Sequence, residues 1–216
     1  GTKQPTGEKL PLVAVPTTSG TGSEATKNAV ISKNGPNGFK KSLRHDNYVP
    51  DVAVIDPRLL LTCPPEITAC SGLDAITQLM EAYVSTKASP LTDSLAIGGL
   101  MAAGRSFETA VTDPNNIQAR ADTAYAAFTS GIALANAGLG LVHGIAGPLG
   151  ANASIPHGAA CGTLLSEATK RIIEQLRIQA DTDSRAIQKY AEVRKYLDLS
   201  DTGNVEENCN ALISML

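Results

Sequence analysis

Residues 123–166 constrain the fold more than any other part of the chain, because they contain no Asp, Glu, Lys or Arg. Two of the three histidines, His143 and His157, lie inside this stretch, and each is followed by a glycine. We expect such a stretch in the protein interior, where a buried imidazole needs a hydrogen-bond partner. For either histidine taken alone, we expect a backbone carbonyl to be that partner. The pair, beside glycines that let a ligand approach closely, favours a metal ion, for which neutral imidazole is the commonest side-chain ligand.

The same stretch is long enough to cross a bilayer, but we expect a protein core and no membrane, because Asn136, Pro148 and Asn152 interrupt it. A net charge of −3 and a hydrophobic content of 43% are typical of a soluble globular protein. No cluster of Lys and Arg is present in the sequence, so we expect no nucleic-acid partner. The four cysteines show no CxxC spacing, which indicates buried thiols of a cytoplasmic protein.

The N-terminal part of the chain has the pattern of short strands. Residues 10–16 are apolar and bounded by prolines, which predicts a buried strand, and residues 28–32 and 51–56 predict two more, with a turn at 34–37. Residues 17–26 form a turn rich in hydroxyl groups and glycine, whose backbone amides could hold a phosphate. A strand follows this turn where a dinucleotide fingerprint needs a helix, so a ligand loop and a plain strand connection both remain open.

From Cys63 onward the strand pattern gives way to the 3.6-residue periodicity of helices. We therefore predict two domains, residues 1–62 with the strands and residues 63–216 with helices alone. A glycine-rich hinge around His143 is expected to interrupt the helices. The predicted helices cover residues 73–85, a segment capped by Ser89, and residues 115–137, 157–179, 186–196 and 205–216, with a loop at 181–184.

Asp74 and Gln78 lie four residues apart on the first of these helices, so their side chains are neighbours and can converge on one point. Their face differs from the apolar stripe of residues 73–85. An isolated acid at this position would meet solvent or interact with a helix end. Together with the two buried histidines, the pair predicts a set of metal donors.

Five short motifs follow one another along the chain. They are PTTSGTGSE at 16–24, PDVAVIDP at 50–57, GLDAIT at 72–77, GLGLVH at 138–143 and PHG at 156–158. In this order they resemble the motifs of the iron-containing alcohol dehydrogenase family, also called group III dehydrogenases. The resemblance covers residues 10–197 and implies a mainly α fold, in which a multi-helical metal-binding domain is preceded by a few strands of a Rossmann-like α/β cofactor domain.

By matched position, the resemblance implies that Asp74, His143 and His157 bind a divalent metal ion, either Fe²⁺ or Zn²⁺. The family usually has a histidine where this chain has Gln78. An amide oxygen binds transition metals more weakly than imidazole does, and Gln78 is the fourth metal-binding candidate. The family also has a histidine near the nicotinamide where this chain has Gly147, which removes a possible proton relay.

The resemblance also implies a site for NAD or NADP. Thr17 and Thr18 match family residues that contact the cofactor, and Thr26 and Lys40 are further cofactor-binding candidates. Lys40 and Lys41 compete for one role, because the spacing to the next proline does not settle which of them aligns. By themselves the two lysines indicate a solvated surface.

The reaction implied by the resemblance is hydride transfer between a small alcohol or aldehyde and NAD(P), with the metal ion as a Lewis acid and the protein as a homo-oligomer, a dimer. The family's first strands, with the pyrophosphate-binding loop, are expected ahead of residue 1, and further helices after Leu216. We therefore expect this chain to be the metal-binding portion and not to turn over alone. The alternative is a catalytically silent helical domain that serves oligomerisation or binds another subunit.

Overall fold

The computed structural model describes residues 7–33, 38–152, 155–179 and 185–216. Within these ranges, four short strands precede seven α-helices, which confirms the predicted mainly helical fold. The strands are β1 Val13–Ala14, β2 Asn28–Lys33, β3 Phe39–Arg44 and β4 Val52–Ala53. The helices are α1 Pro65–Val84, α2 Pro90–Thr112, α3 Ile117–Ala137, α4 Leu141–Asn152, α5 His157–Ile178, α6 Arg185–Asp198 and α7 Val205–Met215.

The strands form two separate two-stranded sheets. β1 pairs with β4 in parallel, with Val13 opposite Val52, and β2 pairs with β3 in an antiparallel hairpin. The predicted strand at 28–32 is confirmed, but the predicted burial of residues 10–16 is wrong, because Leu10 and Val13 are 87% and 58% exposed. Parallel strands are normally covered on both faces, and no described residue covers β1 in that way. The predicted turn at 34–37 lies outside the described residues.

Helix starts follow the capping signals in the sequence. Ser89 Oγ accepts the Thr92 N–H at 3.3 Å, and Thr92 Oγ1 accepts the Ser89 N–H at 2.7 Å, so the two residues form a capping box. Pro90 occupies the first turn of α2, where its missing N–H costs nothing. The predicted cap at Ser89 is confirmed. The loop predicted at 181–184 lies outside the described residues.

The helices share one hydrophobic core. Fully buried aliphatic side chains come from five different helices, and α1 contacts α2, α3 and α5 along its length. These side chains are Leu79 of α1, Leu100 of α2, Ile173 of α5, Ile187 of α6 and Leu212 of α7. The position of α1 at the centre of the helical layer places its polar face toward α4 and the start of α5.

Gly22 and Gly131 join the loop after β1 to the helical layer. A Cβ on Gly131 would lie 2.2 Å from the Gly22 carbonyl oxygen, and a Cβ on Gly22 would lie 2.4 Å from the Ala127 carbonyl oxygen. Gly22 also has a positive φ of 59°, which favours glycine. Residues 17–26 therefore contact α3 directly, through backbone atoms.

The uncharged stretch forms α3 from Thr123 onward, α4 and the first half of α5. The hinge predicted around His143 is wrong, because His143 lies on α4, and the chain turns before that helix, at Gly138 with a φ of 78°. Among the described residues, no single helix is long and apolar enough to cross a membrane. The segments Ile117–Ala137 and Leu141–Gly150 reach that length only together, and they are bent by 104° relative to each other.

Candidate metal centre

Three helices bring one carboxylate and two imidazoles to a single point. Asp74 lies on α1, His143 on the first turn of α4, and His157 is the first residue of α5. Asp74 Oδ1 lies 3.1 Å from His143 Nε2 and 3.8 Å from His157 Nε2. The structure therefore brings together the three residues that the resemblance assigns to a metal ion, although they are separated by 69 and 83 residues along the chain.

Two glycines at the start of α5 allow this approach. A Cβ on Gly158 would lie 1.8 Å from the Cys70 carbonyl oxygen, and a Cβ on Gly162 would lie 2.6 Å from Leu73 Cδ1. No real Cβ reaches such distances, so α5 contacts the Cys70 backbone and the Leu73 side chain of α1 only because these positions lack side chains. That contact places His157 beside Asp74.

Glu81 fixes the orientation of His143. Its carboxylate accepts the N–H of Val142 at 2.6 Å and the N–H of His143 at 3.4 Å, and it contacts His143 Nδ1 at 2.6 Å. The acid thus satisfies the free N–H groups at the start of α4 and directs Nε2 toward Asp74. Sequence reasoning missed Glu81. The available signal was its position seven residues after Asp74, two turns along the same helix face.

Burial lowers the pKa of His143, but hydrogen bonds to Asp74, Cys161 and Glu81 outweigh burial and raise the pKa to about 11. Without a metal ion, both ring nitrogens of His143 are therefore protonated, with Nδ1 facing the Glu81 carboxylate and Nε2 facing the Asp74 carboxylate. Metal ligands must be deprotonated, so a divalent cation at this point would replace that proton.

Cys161 also lies at this point, and sequence reasoning missed it as well. It is fully buried on α5, one turn after His157, and its Sγ lies 3.8 Å from both His143 Nε2 and His157 Nε2. One donor atom each from Asp74, His143, His157 and Cys161 lies within 4.8 Å of the others. The signal available in the sequence was the four-residue spacing from His157.

Gln78 lies one turn after Asp74, and only 4% of its surface is exposed. Its Oε1 accepts a hydrogen bond from Ser130 Oγ at 2.7 Å. An amide oxygen has two lone pairs, so this bond occupies one of them. The assignment of Gln78 as a metal ligand stays a prediction.

A cleft of about 830 Å³ opens over these residues. The β2–β3 hairpin forms one wall, and the start of α4 with the preceding turn forms another. Asp74, His143 and His157 lie in its lining. The other lining residues include Thr21, Ser23, Thr26, Asn28, Val30, Ser42, Arg44, Gln78, Lys87, Gly140 and Gly147.

The four predicted cofactor residues lie in different places. Thr26 is buried and lines the cleft, where its Oγ1 donates to the Ser23 carbonyl and accepts the Asn28 N–H. Thr17 and Thr18 are exposed on the turn after β1 and do not line the cleft. Lys40 pairs with Ser32 in the hairpin, and its side chain lies outside what the structure describes.

At Gly147, where the resemblance predicts that an imidazole is missing, a Cβ would meet nothing within 4 Å. This position faces the cleft, so the space that a larger side chain would fill is open.

Two family models match the chain. Residues 68–216 match the model described as "Fe-containing alcohol dehydrogenase family, C-terminal", and residues 1–57 match "Iron-containing alcohol dehydrogenase". Long-chain-alcohol dehydrogenase 1 of Geobacillus thermodenitrificans is 42% identical over 165 residues, which cover 76% of this chain and 41% of that protein. 1-Propanol dehydrogenase of Citrobacter freundii is 40% identical over 202 residues, which cover 93% of this chain and 52% of that protein.

Solved structures of alcohol and aldehyde oxidoreductases also match the chain. A 1,3-propanediol oxidoreductase matches with a TM-score of 0.83 and 33% identity, over 94% of this chain and 51% of that one. Sulfoacetaldehyde reductase from Bifidobacterium kashiwanohense, solved with NAD⁺, matches with a TM-score of 0.79 and 31% identity, over 96% of this chain and 52% of that one. The chain spans about half the length of these relatives.

Proposed function

Because the chain belongs to the iron-containing alcohol dehydrogenase family, we propose that it is the metal-binding portion of an oxidoreductase that transfers a hydride between a small alcohol or aldehyde and NAD(P). The observation that carries this proposal is the convergence of Asp74, His143 and His157 at the cleft. Further support comes from the matched relatives, which include a long-chain-alcohol dehydrogenase, a 1-propanol dehydrogenase and a reductase solved with NAD⁺.

The donors present fit a divalent ion. One carboxylate and two imidazoles suit Fe²⁺ or Zn²⁺. Two donors that are each about 2.0–2.1 Å from one tetrahedral ion lie about 3.3 Å apart. The separations of 3.1 and 3.8 Å from Asp74 Oδ1 to the two Nε2 atoms bracket that value. When bound, such an ion supplies Lewis-acid chemistry that polarises the oxygen of an alcohol or a carbonyl compound.

The chain's own residues prepare this site before any ligand arrives. Glu81 holds His143 Nδ1, so Nε2 is the ring nitrogen left to face Asp74. Ser130 holds the amide of Gln78 at the edge of the cleft. Gly147 provides no proton-transfer group, so water or a cofactor hydroxyl has to carry the substrate proton to solvent.

The proposal is tested by loading the purified chain with Co²⁺, whose visible bands report its surroundings, and by elemental analysis. We expect about one ion per chain. Addition of 1-propanol should shift the bands, because the alcohol enters the cleft that the ion faces. The variants His143→Ala and His157→Ala should lose the ion. His45→Ala is the matched control, because His45 caps a short turn at residues 46–48 and does not line the cleft.

Two results would contradict the proposal. If His143→Ala and His157→Ala retain the ion as well as His45→Ala does, the site does not bind metal. If the ion binds but no alcohol or aldehyde changes its spectrum, the metal has a structural role, and the catalytically silent helical domain becomes the better description.

A further inference from the structure

We propose that Cys161 is the fourth donor of the metal site, and that its thiolate makes the site select Zn²⁺ over Fe²⁺. The inference rests on the proposed function only in assuming that Asp74, His143 and His157 bind an ion. It goes beyond that function, because it assigns a sulfur ligand and names the metal.

The donor separations support a four-donor site. A sulfur about 2.3 Å and a nitrogen about 2.0–2.1 Å from one tetrahedral ion lie about 3.6 Å apart. Cys161 Sγ lies 3.8 Å from both His143 Nε2 and His157 Nε2, within a few tenths of an ångström of that value. Since the same two nitrogens also lie close to Asp74 Oδ1, one ion can reach all four atoms without a large movement of any helix.

The position of Gln78 supports a different fourth donor. The Ser130 bond leaves one lone pair of Gln78 Oε1 free, but an amide oxygen is a poor ligand for these ions. Cys161 instead projects from α5, the helix that also presents His157, and its side chain is fully buried. The thiol therefore reaches the site from the protein interior, whereas the other three donors line the cleft.

This arrangement leaves the cleft side of the site open to a substrate. Cys161 is not among the cleft-lining residues, so a ligand that enters from the cleft approaches the face formed by Asp74, His143 and His157. Zinc sites sometimes expand to five ligands, so four protein donors would still leave the ion accessible to a substrate from the cleft.

The buried carboxylates of Asp74 and Glu81 together already balance the charge of a divalent ion, so the assignment of Cys161 rests on the position of its sulfur. The thiolate, and not the thiol, is the form of cysteine that binds metal. As the metal–sulfur bond forms, the thiol proton leaves to solvent. Thiolates favour Zn²⁺, whereas carboxylate and imidazole sets are less selective.

The test uses the same chain loaded with Co²⁺ and with Zn²⁺. We expect the Co²⁺ form to show a sulfur-to-metal charge-transfer band in the near ultraviolet. Cys161→Ser should abolish the band, weaken Zn²⁺ binding by at least about 100-fold, and reduce the ratio of Zn²⁺ to Fe²⁺ affinity by about 10-fold or more. Cys70→Ser is the matched control, because Cys70 is only partly buried and is not in the donor cluster.

X-ray absorption of the Zn²⁺-loaded wild-type chain gives an answer that does not depend on whether Cys161→Ser folds. A sulfur neighbour at about 2.3 Å supports the inference. An ion with only nitrogen and oxygen neighbours, or a charge-transfer band that survives in Cys161→Ser, overturns it and leaves the proposed function intact. A chain that binds no ion at all overturns both.

Discussion

At the residue scale, Glu81 has three hydrogen-bonding contacts with the start of α4 although it lies on α1. Replacement by Ala leaves the buried N–H of Val142 without its acceptor, which costs about 1–3 kcal/mol of stability. Glu81→Gln keeps the volume but removes the charge, and we expect it to weaken metal binding by about 10–100-fold, the usual cost of losing a partner that orients a ligand.

Thermal unfolding of the metal-free chain and calorimetric titration with Zn²⁺ measure the two effects of Glu81 separately. Glu66→Gln is the control, because Glu66 is an exposed acid in the first turn of the same helix. If Glu81→Gln binds Zn²⁺ as tightly as Glu66→Gln does, Glu81 supports the fold only and does not orient His143.

The cysteines allow a pH prediction at the same scale. Burial raises the pKa of Cys209 to about 11, and its Sγ donates to the Ile187 carbonyl. Of the four free cysteines, only Cys70 is not buried. In the metal-free chain near neutral pH, a thiol reagent should therefore modify Cys70 rapidly and Cys209 very slowly, because the thiolate is the reactive form.

The Cys209 reaction should accelerate about tenfold for each unit of rising pH and level off only near the raised pKa. Mass spectrometry of the modified sites follows both rates, with Cys70→Ser to remove the fast phase. A Cys209 rate that already levels off near pH 8.5, the usual value for an exposed thiol, would contradict its burial.

The sequence indicated some of the site residues better than others, for reasons that the individual residues make clear. His143 and His157 could be selected because they lie in an uncharged stretch, and Asp74 because its spacing to Gln78 places it on a helix face. Glu81 and Cys161 were missed although their spacings from Asp74 and His157 place each of them on the same helix face as a predicted ligand. Those spacings identify a shared site only once α4 and α5 are known to meet α1.

At the element scale, glycines near the site allow helices to approach each other closely. The glycines around His143 predicted a hinge, yet the structure has a helix there. A Cβ on Gly140 would lie 2.9 Å from Glu81 Oε1, so this glycine allows the acid to reach the start of α4. Local sequence alone cannot distinguish a glycine needed for a turn from one needed for a close approach.

Gly158 gives the test of this view. In Gly158→Ala the new Cβ would overlap the Cys70 carbonyl oxygen, so α5 has to move away from α1. We expect a loss of about 1–3 kcal/mol in unfolding free energy and weaker Zn²⁺ binding, because His157 moves with the helix. Gly144→Ala is the control, since a Cβ there meets nothing within 4 Å and a helical alanine is favoured over glycine. Equal metal affinity in both variants would show that the close contact does not position His157.

At the scale of the whole molecule, the helical layer followed from the sequence, whereas the surroundings of the strands did not. Apolar runs such as residues 10–16 predict burial only if another layer covers them. β1 pairs with β4, but the apolar residues before and after it in the chain, such as Leu10 and Val15, are exposed. The apolar pattern therefore indicated a strand correctly and its burial incorrectly.

Cofactor affinity also depends on several elements of the molecule together. A dinucleotide is held mainly by backbone amides and a helix N-terminus at its pyrophosphate. Residues 17–26 contain the short 3₁₀ turn Ser23–Ala25 and lead into β2, and Thr17 and Thr18 are exposed and do not line the cleft. A few hydrogen bonds worth about 0.5–1.5 kcal/mol each do not offset the several kcal/mol that association costs.

We therefore expect this chain, loaded with Zn²⁺, to bind NADH more weakly than about 1 mM. Calorimetry should show no saturation at lower NADH concentrations, and alcohol-dependent reduction of NAD⁺ or NADP⁺ should be absent. The variant Thr26→Val tests the loop directly, because Thr26 is the predicted cofactor residue that the structure places in the cleft. If NADH binds in the micromolar range and Thr26→Val removes that binding, residues 17–26 form a more complete cofactor site than their exposed threonines indicate.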